Sequence, residues 1–213
     1  MKQITLTICV AIFMFSCNDS TKTEEKKTGG DTITKVDDKP APPPPQMDSA
    51  SMMKAMIAYG TPGPVQAMLA KSNGTWDEEV TMYVPGKPPA KNTSTAENTM
   101  ILGGRYQQSI HKGSFNGMPF EGISTLGFDN AKKKFVSSWV DNMGTGITYM
   151  EGTWDSTAHT VTSKGKMVDP ASGNDLDIRQ VFTLVDDNHQ KLEMYATQNG
   201  KETKSMEINL KRK

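Results

Sequence analysis

The chain has 213 residues, of which 24 are basic and 24 acidic, so its formal charge is zero and no whole-molecule field draws it to nucleic acid. It is 35% hydrophobic with a mean hydropathy of -0.55, more polar than an average globular chain, as expected of an unstructured segment, a sheet with one solvated face, or both. Both of its cysteines, Cys9 and Cys17, lie near the start, which excludes a structural disulfide, a thiolate nucleophile or a cysteine metal ligand from the rest of the chain.

Lys2 is followed by an apolar run from Ile4 to Phe15 and then by Ser16-Cys17, the grammar of a secretory signal. The run is too short for a stable membrane-spanning helix, which needs about 20 residues. Met14-Phe15-Ser16-Cys17 resembles a bacterial lipobox, with Met at position -3 and the bulky Phe15 at -2, so Cys17 is the expected lipid attachment site and residues 1–16 the expected signal peptide. The plainer alternative is a cleaved signal with an incidental cysteine. Asn18 to Gln46 is rich in charged residues and threonine and ends in Pro40-Ala41-Pro42-Pro43-Pro44-Pro45. Such a composition buries too little surface to offset chain entropy, and the proline run favours a stiff, extended spacer. Residues 17–46 are therefore read as a lipidated, disordered tether with a reach of at most about 100 Å, and 47–213 as one domain. This organisation implies a lipid-anchored protein of the bacterial envelope, at the outer membrane, on a face left open.

From Met47 to Lys71 the pattern turns helical. Asp48 or Ser49 caps a helix carrying Met52, Met53, Met56 and Ile57, which Gly60 ends; Pro64 starts a second short helix with Val65, Met68 and Leu69 on one side. The methionine stripe is read as core packing, because methionine fills irregular gaps and the polar face has few basic residues to favour a membrane surface.

Beyond Gly74 the chain reads as strands alone, in ten segments near 75–84, 94–101, 104–112, 119–128, 134–141, 146–154, 159–168, 176–186, 190–197 and 202–211. They are broken by turn pairs such as Asn116-Gly117, Asp129-Asn130 and Asn199-Gly200. Short turns throughout predict a mainly β fold: an antiparallel up-and-down barrel of about eight to ten strands, closed to remove its edges, with one or two short N-terminal helices. Period-two alternation puts Phe135, Ser137, Trp139 and Asp141 on one face of a strand and Ile147, Tyr149, Glu151 and Thr153 on one face of the next. In these middle strands acids interrupt the apolar faces, as in a partly polar cavity or at a barrel end.

Gly103 to Asp155, GGRYQQSIHKGSFNGMPFEGISTLGFDNAKKKFVSSWVDNMGTGITYMEGTWD, resembles the DUF1579 family of uncharacterised bacterial proteins, as do the later VDPASGNDLDIRQVFTLVDDNHQKLEMYATQNGKE and the terminal Lys211-Arg212-Lys213. The resemblance runs from about Pro64 to Lys213. It implies a lipocalin-like, calycin-type barrel and no particular activity.

Six side chains are the candidates for a ligand site. Arg105, Asp141, Glu151 and Arg179 can form a polar group inside the barrel or at its mouth, where a buried carboxylate needs a cation or dense hydrogen bonding; a salt bridge that fixes register is the structural alternative. Trp139 and Tyr149 are aromatic platforms or core. The three histidines share no ligand spacing; His111, on a strand, is the one positional candidate for haem, and no cofactor or metal is expected. Asp169 to Asp177 lacks the spacing of a calcium loop, and GxSxG, GxGxxG and GxxxxGK[ST] are absent. The leading functional reading is a non-catalytic envelope lipoprotein whose barrel takes a small, largely apolar ligand. The alternatives are a structural or protein-interaction module of the envelope and a hydrolase-type enzyme using Glu151 and Asp141.

Overall fold

The computed structural model describes residues 48–115 and 117–213. The apolar run Ile4–Phe15, Cys17 and the stretch Asn18–Gln46 lie outside the described residues, with the expectations attached to them. Among the described residues, two helices precede ten strands: α1 (Ser49–Gly60), α2 (Pro64–Ala70), β1 (Gly74–Met82), β2 (Ala90–Ile101), β3 (Tyr106–Phe115), β4 (Met118–Asp129), β5 (Lys134–Asp141), β6 (Thr148–Asp155), β7 (Thr160–Val168), β8 (Asp175–Leu184), β9 (His189–Gln198) and β10 (Lys201–Arg212). Each strand pairs antiparallel with its sequence neighbour, and β1 pairs with β10, so the sheet closes into a barrel and leaves no edge.

The turns do what the sequence demands of them. Asn199 and Gly200 both take positive φ, 52° and 74°, the geometry of a two-residue hairpin. Asp129 and Asp155 each accept the backbone N–H groups two and three positions on, and Asp186 accepts that of Asn188, which fixes the turns after β4, β6 and β8.

Alternation and register together decide what points inward. From β1 to β5 the inner set includes Trp76 and Glu78, Ser94, Ala96 and Asn98, Gln107, Ser109 and His111, Gly122 and Leu126, then Phe135, Trp139 and Asp141. The remaining strands turn in Met150, Val161, Ile178, Gln180, Met194, Met206 and Leu210.

Helix α2 stops one end of the barrel. Gln66 tightens its start by accepting the Gly63 N–H at 2.8 Å, while Leu69 packs with buried Phe135 and Val161 among Val65, Met68, Leu126 and Trp154. The carbonyls left over at the C-terminal end of a helix need partners. Here the following turn supplies the N–H groups of Lys71, Ser72 and Asn73, and the barrel wall adds more: Gln107 Nε2 donates to Leu69 O at 2.7 Å, and Trp76 Nε1 and Asn98 Nδ2 donate to Ser72 O at 2.9 and 3.1 Å. Gln190 Nε2 donates to Ser72 Oγ at 2.8 Å. Arg212 stacks over Trp76 and donates to Asn73 O and Lys71 O, both at 2.7 Å, binding the last strand to the end of the helix region. The void left in this plug is about 10 Å3, room for one water at most.

Helix α1 departs from expectation. Asp48 caps it through the N–H groups of Ala50 and Ser51, but it contains no buried residue, and Met52, Met53, Met56 and Ile57 are 51–62% exposed. The methionine stripe read as core packing is a solvent-facing surface, because α2 alone fills the barrel end.

Candidate functional site

The other end of the lumen is built differently. Val80, Met82, Trp139, Gln180, Met194 and Met206 point inward yet are only half-buried. In a closed barrel, exposure of an inward side chain is exposure to the lumen, so this half is open to solvent.

One wall of this half, from β1 to β5, is polar and aromatic. Glu78 is 2% exposed and accepts a hydrogen bond from Ser94 Oγ at 2.6 Å. His111 Nδ1 lies 3.0 and 3.2 Å from its two carboxylate oxygens. Nδ1 is thereby committed to Glu78, and Nε2 is the ring nitrogen left for other partners. The His111 ring meets Trp139 edge-on at 5.1 Å, and Phe120 stacks on the other side of that indole at 6.3 Å. Trp139 Nε1 donates to Asp141 Oδ2 at 2.7 Å, while Asp141 Oδ1 accepts the Met143 N–H at 2.9 Å. The indole reaches diagonally over Gly122, the register partner of Asp141 on the neighbouring strand, where a Cβ would come within 2.5 Å of the ring. Asn92, inward on β2, has a buried Nδ2 with no hydrogen-bond partner among the described residues. The facing wall, β8 to β10, is largely apolar, with Ile178, Met194, Ala196, Met206 and Ile208 around Gln180.

The barrel wall divides the six sequence candidates. Trp139 and Asp141 face the lumen together. Tyr149 and Glu151 share a face, as alternation requires, but it is the outer one, where Glu151 accepts from Lys132 at 2.9 Å, Lys134 at 3.3 Å and Tyr149 at 3.1 Å. These donors, Lys132 foremost, hold the Glu151 carboxyl down to about 2. Arg179 is also outside, in a two-pronged bond to Glu202 at 2.9 and 2.7 Å and 4.0 Å from the Tyr195 ring. Arg105 is exposed in the β2–β3 turn and donates to Leu102 O at 3.0 Å. The four charged residues therefore form no common polar group, and Asp141 and Glu151 share no cleft.

Glu78, Ser94 and His111 complete the lumen cluster, and of these the sequence reading singled out only His111. The signal for Glu78 is there: Trp76, Glu78, Val80 and Met82 alternate on one strand face, with a lone acid among apolar neighbours. The acidic run Asp77-Glu78-Glu79 hides it by suggesting a solvated surface.

Fold and lumen define a ten-stranded antiparallel barrel, stoppered at one end by a helix and open at the other onto a two-faced interior. Residues 61–212 match the family described as "Protein of unknown function (DUF1579)", and the chain belongs to that family. None of the curated proteins matches it. Among solved structures it is similar to Rv2717c from M. tuberculosis, with a TM-score of 0.55 and 11% identity over 72% of this chain and 99% of that one. It is also similar to the S-type phycobiliprotein lyase CPES from Guillardia theta, with a TM-score of 0.51 and 10% identity over 70% and 92%. At such identities the likeness is one of fold.

Proposed function

We propose that the barrel is a binding protein for a small, largely apolar molecule that carries one polar group, held in the open half of the lumen, and that Cys17 carries a lipid which anchors the chain in the bacterial envelope. The observation that carries the first part is the pairing of walls: an apolar, methionine-rich surface on β8–β10 faces a polar and aromatic one that includes Glu78, His111, Trp139 and Asp141. Such a lumen takes an apolar body on one side and orients its polar group on the other. The polar groups at hand are the His111 ring, the Asp141 carboxylate and the unpartnered Asn92 amide, which wants an acceptor. The anchor rests on the apolar run Ile4–Phe15 and the lipobox-like Met14-Phe15-Ser16-Cys17.

Native mass spectrometry of the protein isolated from its own source tests the binding. A discrete added mass, lost on denaturation, is the expected result; bare protein in every preparation would count against it. Cys17→Ala tests the anchor: the variant should leave the membrane fraction, and its retention there would refute the lipid.

A second reading, an interaction module, has its own support. Met118, Ile123, Val140, Met143, Ile147 and Tyr149 are 37–74% exposed near the open end on β4–β6, an apolar rim of the kind that marks contact surfaces. Crosslinking from Ile147 to one defined envelope protein would favour that reading. A hydrolase built on Glu151 and Asp141 has no geometric support, since they lie on opposite sides of the wall.

A further inference from the structure

We infer that α1 is a membrane-surface helix, whose face of Met52, Met53, Met56 and Ile57 seats on the headgroup–acyl boundary of the bilayer that holds the Cys17 lipid. The inference rests on the proposed anchor and goes beyond it, because a lipidated chain can carry its domain without any further contact.

Isolated helices shorter than about 12–15 residues are marginal in water, and those in proteins owe most of their stability to a packed face. Helix α1 has 12 residues and no buried one, yet it is built at both ends. Asp48 caps its start, and Asn130 Nδ2, from the β4–β5 turn, donates to Tyr59 O at 3.0 Å and Thr61 O at 2.9 Å. A helix so fixed and so bare is completed by a surface outside the barrel.

At 100° per residue, Met52, Met53, Met56, Ile57 and Tyr59 fall on one side of the helix, and Ser51, Lys54, Ala55 and Ala58 on the other. Five exposed side chains offer a few hundred Å2, well short of the roughly 800 Å2 per partner of a stable dimer, so a second copy is a poor fit. A bilayer needs no such area, because the anchor keeps it at hand. About 30 residues separate Cys17 from Asp48, and a tether of that length holds the helix near the membrane at an effective concentration on the order of millimolar. Weak partition then suffices, and the near-absence of basic residues on α1 is no obstacle, since the lipid supplies the attraction. The family match begins at residue 61, directly after α1, so the helix stands between the anchor and the family domain.

The inference orients the barrel. Helix α1 joins at the end that α2 stoppers, so the stoppered end faces the bilayer and the open lumen faces away from it.

The test uses the full chain, produced with its own N-terminal segment in a bacterial host, in vesicles of phosphatidylethanolamine and phosphatidylglycerol, with acyl chains brominated near the headgroup. The three native tryptophans, Trp76, Trp139 and Trp154, line the barrel interior and report no lipid contact. Met56→Trp should add emission that the brominated lipid quenches at least two-fold, and Lys54→Trp on the opposite face should be quenched less. Flotation separates the two layers of the claim. A chain that floats but whose Met56→Trp emission is the same in brominated and plain vesicles overturns the helix contact and leaves the anchor standing. A chain that does not float overturns the anchor and the contact with it. A concentration-dependent dimer in detergent, dissolved by Met56→Glu, would make a second copy the occupant and overturn the membrane assignment.

Discussion

His111 Nδ1 sits 3.0 and 3.2 Å from the two carboxylate oxygens of Glu78, and that carboxylate is 2% exposed. A buried acid of this kind is held by its donors, here His111 and Ser94. Removing one partner strands the other, which costs more than the pair itself contributes. Glu78→Ala should therefore destabilise the barrel by about 2–4 kcal/mol, and Glu78→Gln by less. In a double-mutant cycle of Glu78→Gln with His111→Gln, read from urea unfolding, the coupling should exceed about 0.5 kcal/mol. Additive effects would mean that the two residues do not form a unit.

Trp139 depends on Gly122. A Cβ at position 122 would come within 2.5 and 2.6 Å of two indole carbons, closer than real contacts allow, so the ring must leave the wall. Its bond to Asp141 and its edge contact with His111 should go with it. Gly122→Ala is expected to cost about 1–3 kcal/mol and to red-shift the Trp139 emission. Unchanged emission would place the indole elsewhere.

Glu151, on the outer face, makes a pH prediction. Lys132, then Lys134 and Tyr149, hold its carboxyl down to about 2 from an ordinary value of 4.5. A depressed acid contributes stability that is present above its unfolded value and is lost as pH falls through its folded value, so the window runs from about 4.5 down to about 2. Glu151→Gln should be less stable than the parent at pH 7, and the two should converge below pH 2. The difference should shrink in high salt, because the cluster is solvent-exposed. A carboxyl titration by NMR with an ordinary midpoint for Glu151 would contradict this.

The stopper is held by packing and by amides together. Leu69→Ala opens a cavity against Phe135 and Val161 and should cost about 2–5 kcal/mol. Gln107→Leu keeps the bulk but removes one of two donors to the Leu69 carbonyl, which keeps the Ser72 N–H at 3.0 Å, and should cost about 0.5–1.5 kcal/mol. Thermal unfolding of both variants checks the pair. If Gln107→Leu is neutral, the Ser72 N–H alone satisfies the carbonyl and the amide does not hold the stopper.

How much of this was legible in the sequence depends on which residues are asked about. The ten strands and their meander order follow from alternation and from pairs such as Asn199-Gly200, whose local chemistry allows little else. The start of β2 at Ala90, before the expected 94, was hidden because Ala90 to Thr93 contains almost no apolar signal. Alternation correctly grouped Tyr149 with Glu151 and Trp139 with Asp141, but a period of two says only which residues share a face. Both faces of β5 and β6 carry apolar residues, so the lumen side had to come from closure of the barrel. Glu78 was masked by its acidic neighbours, and its tie to His111 spans two strands that only register brings into line. The stripe on α1 failed for the opposite reason. A helix face shows that something covers it, not what, and the barrel turned out to need only α2.

The central claim, that the open half of the lumen holds a small apolar molecule, is tested most directly by titrating the full chain with the apolar amine probe N-phenyl-1-naphthylamine, read by its fluorescence. Three variants accompany the parent: Ala196→Trp, which fills the lumen beside Ile178; His111→Leu, which removes the polar wall's ring; and Glu151→Gln on the outside. The account predicts one saturable site per chain, lost in folded Ala196→Trp, weakened about ten-fold or more in His111→Leu and unchanged within about two-fold in Glu151→Gln, since one lost polar contact is worth about 1.4 kcal/mol or more. Binding that survives Ala196→Trp undiminished, or no saturable binding to the parent at all, would contradict it.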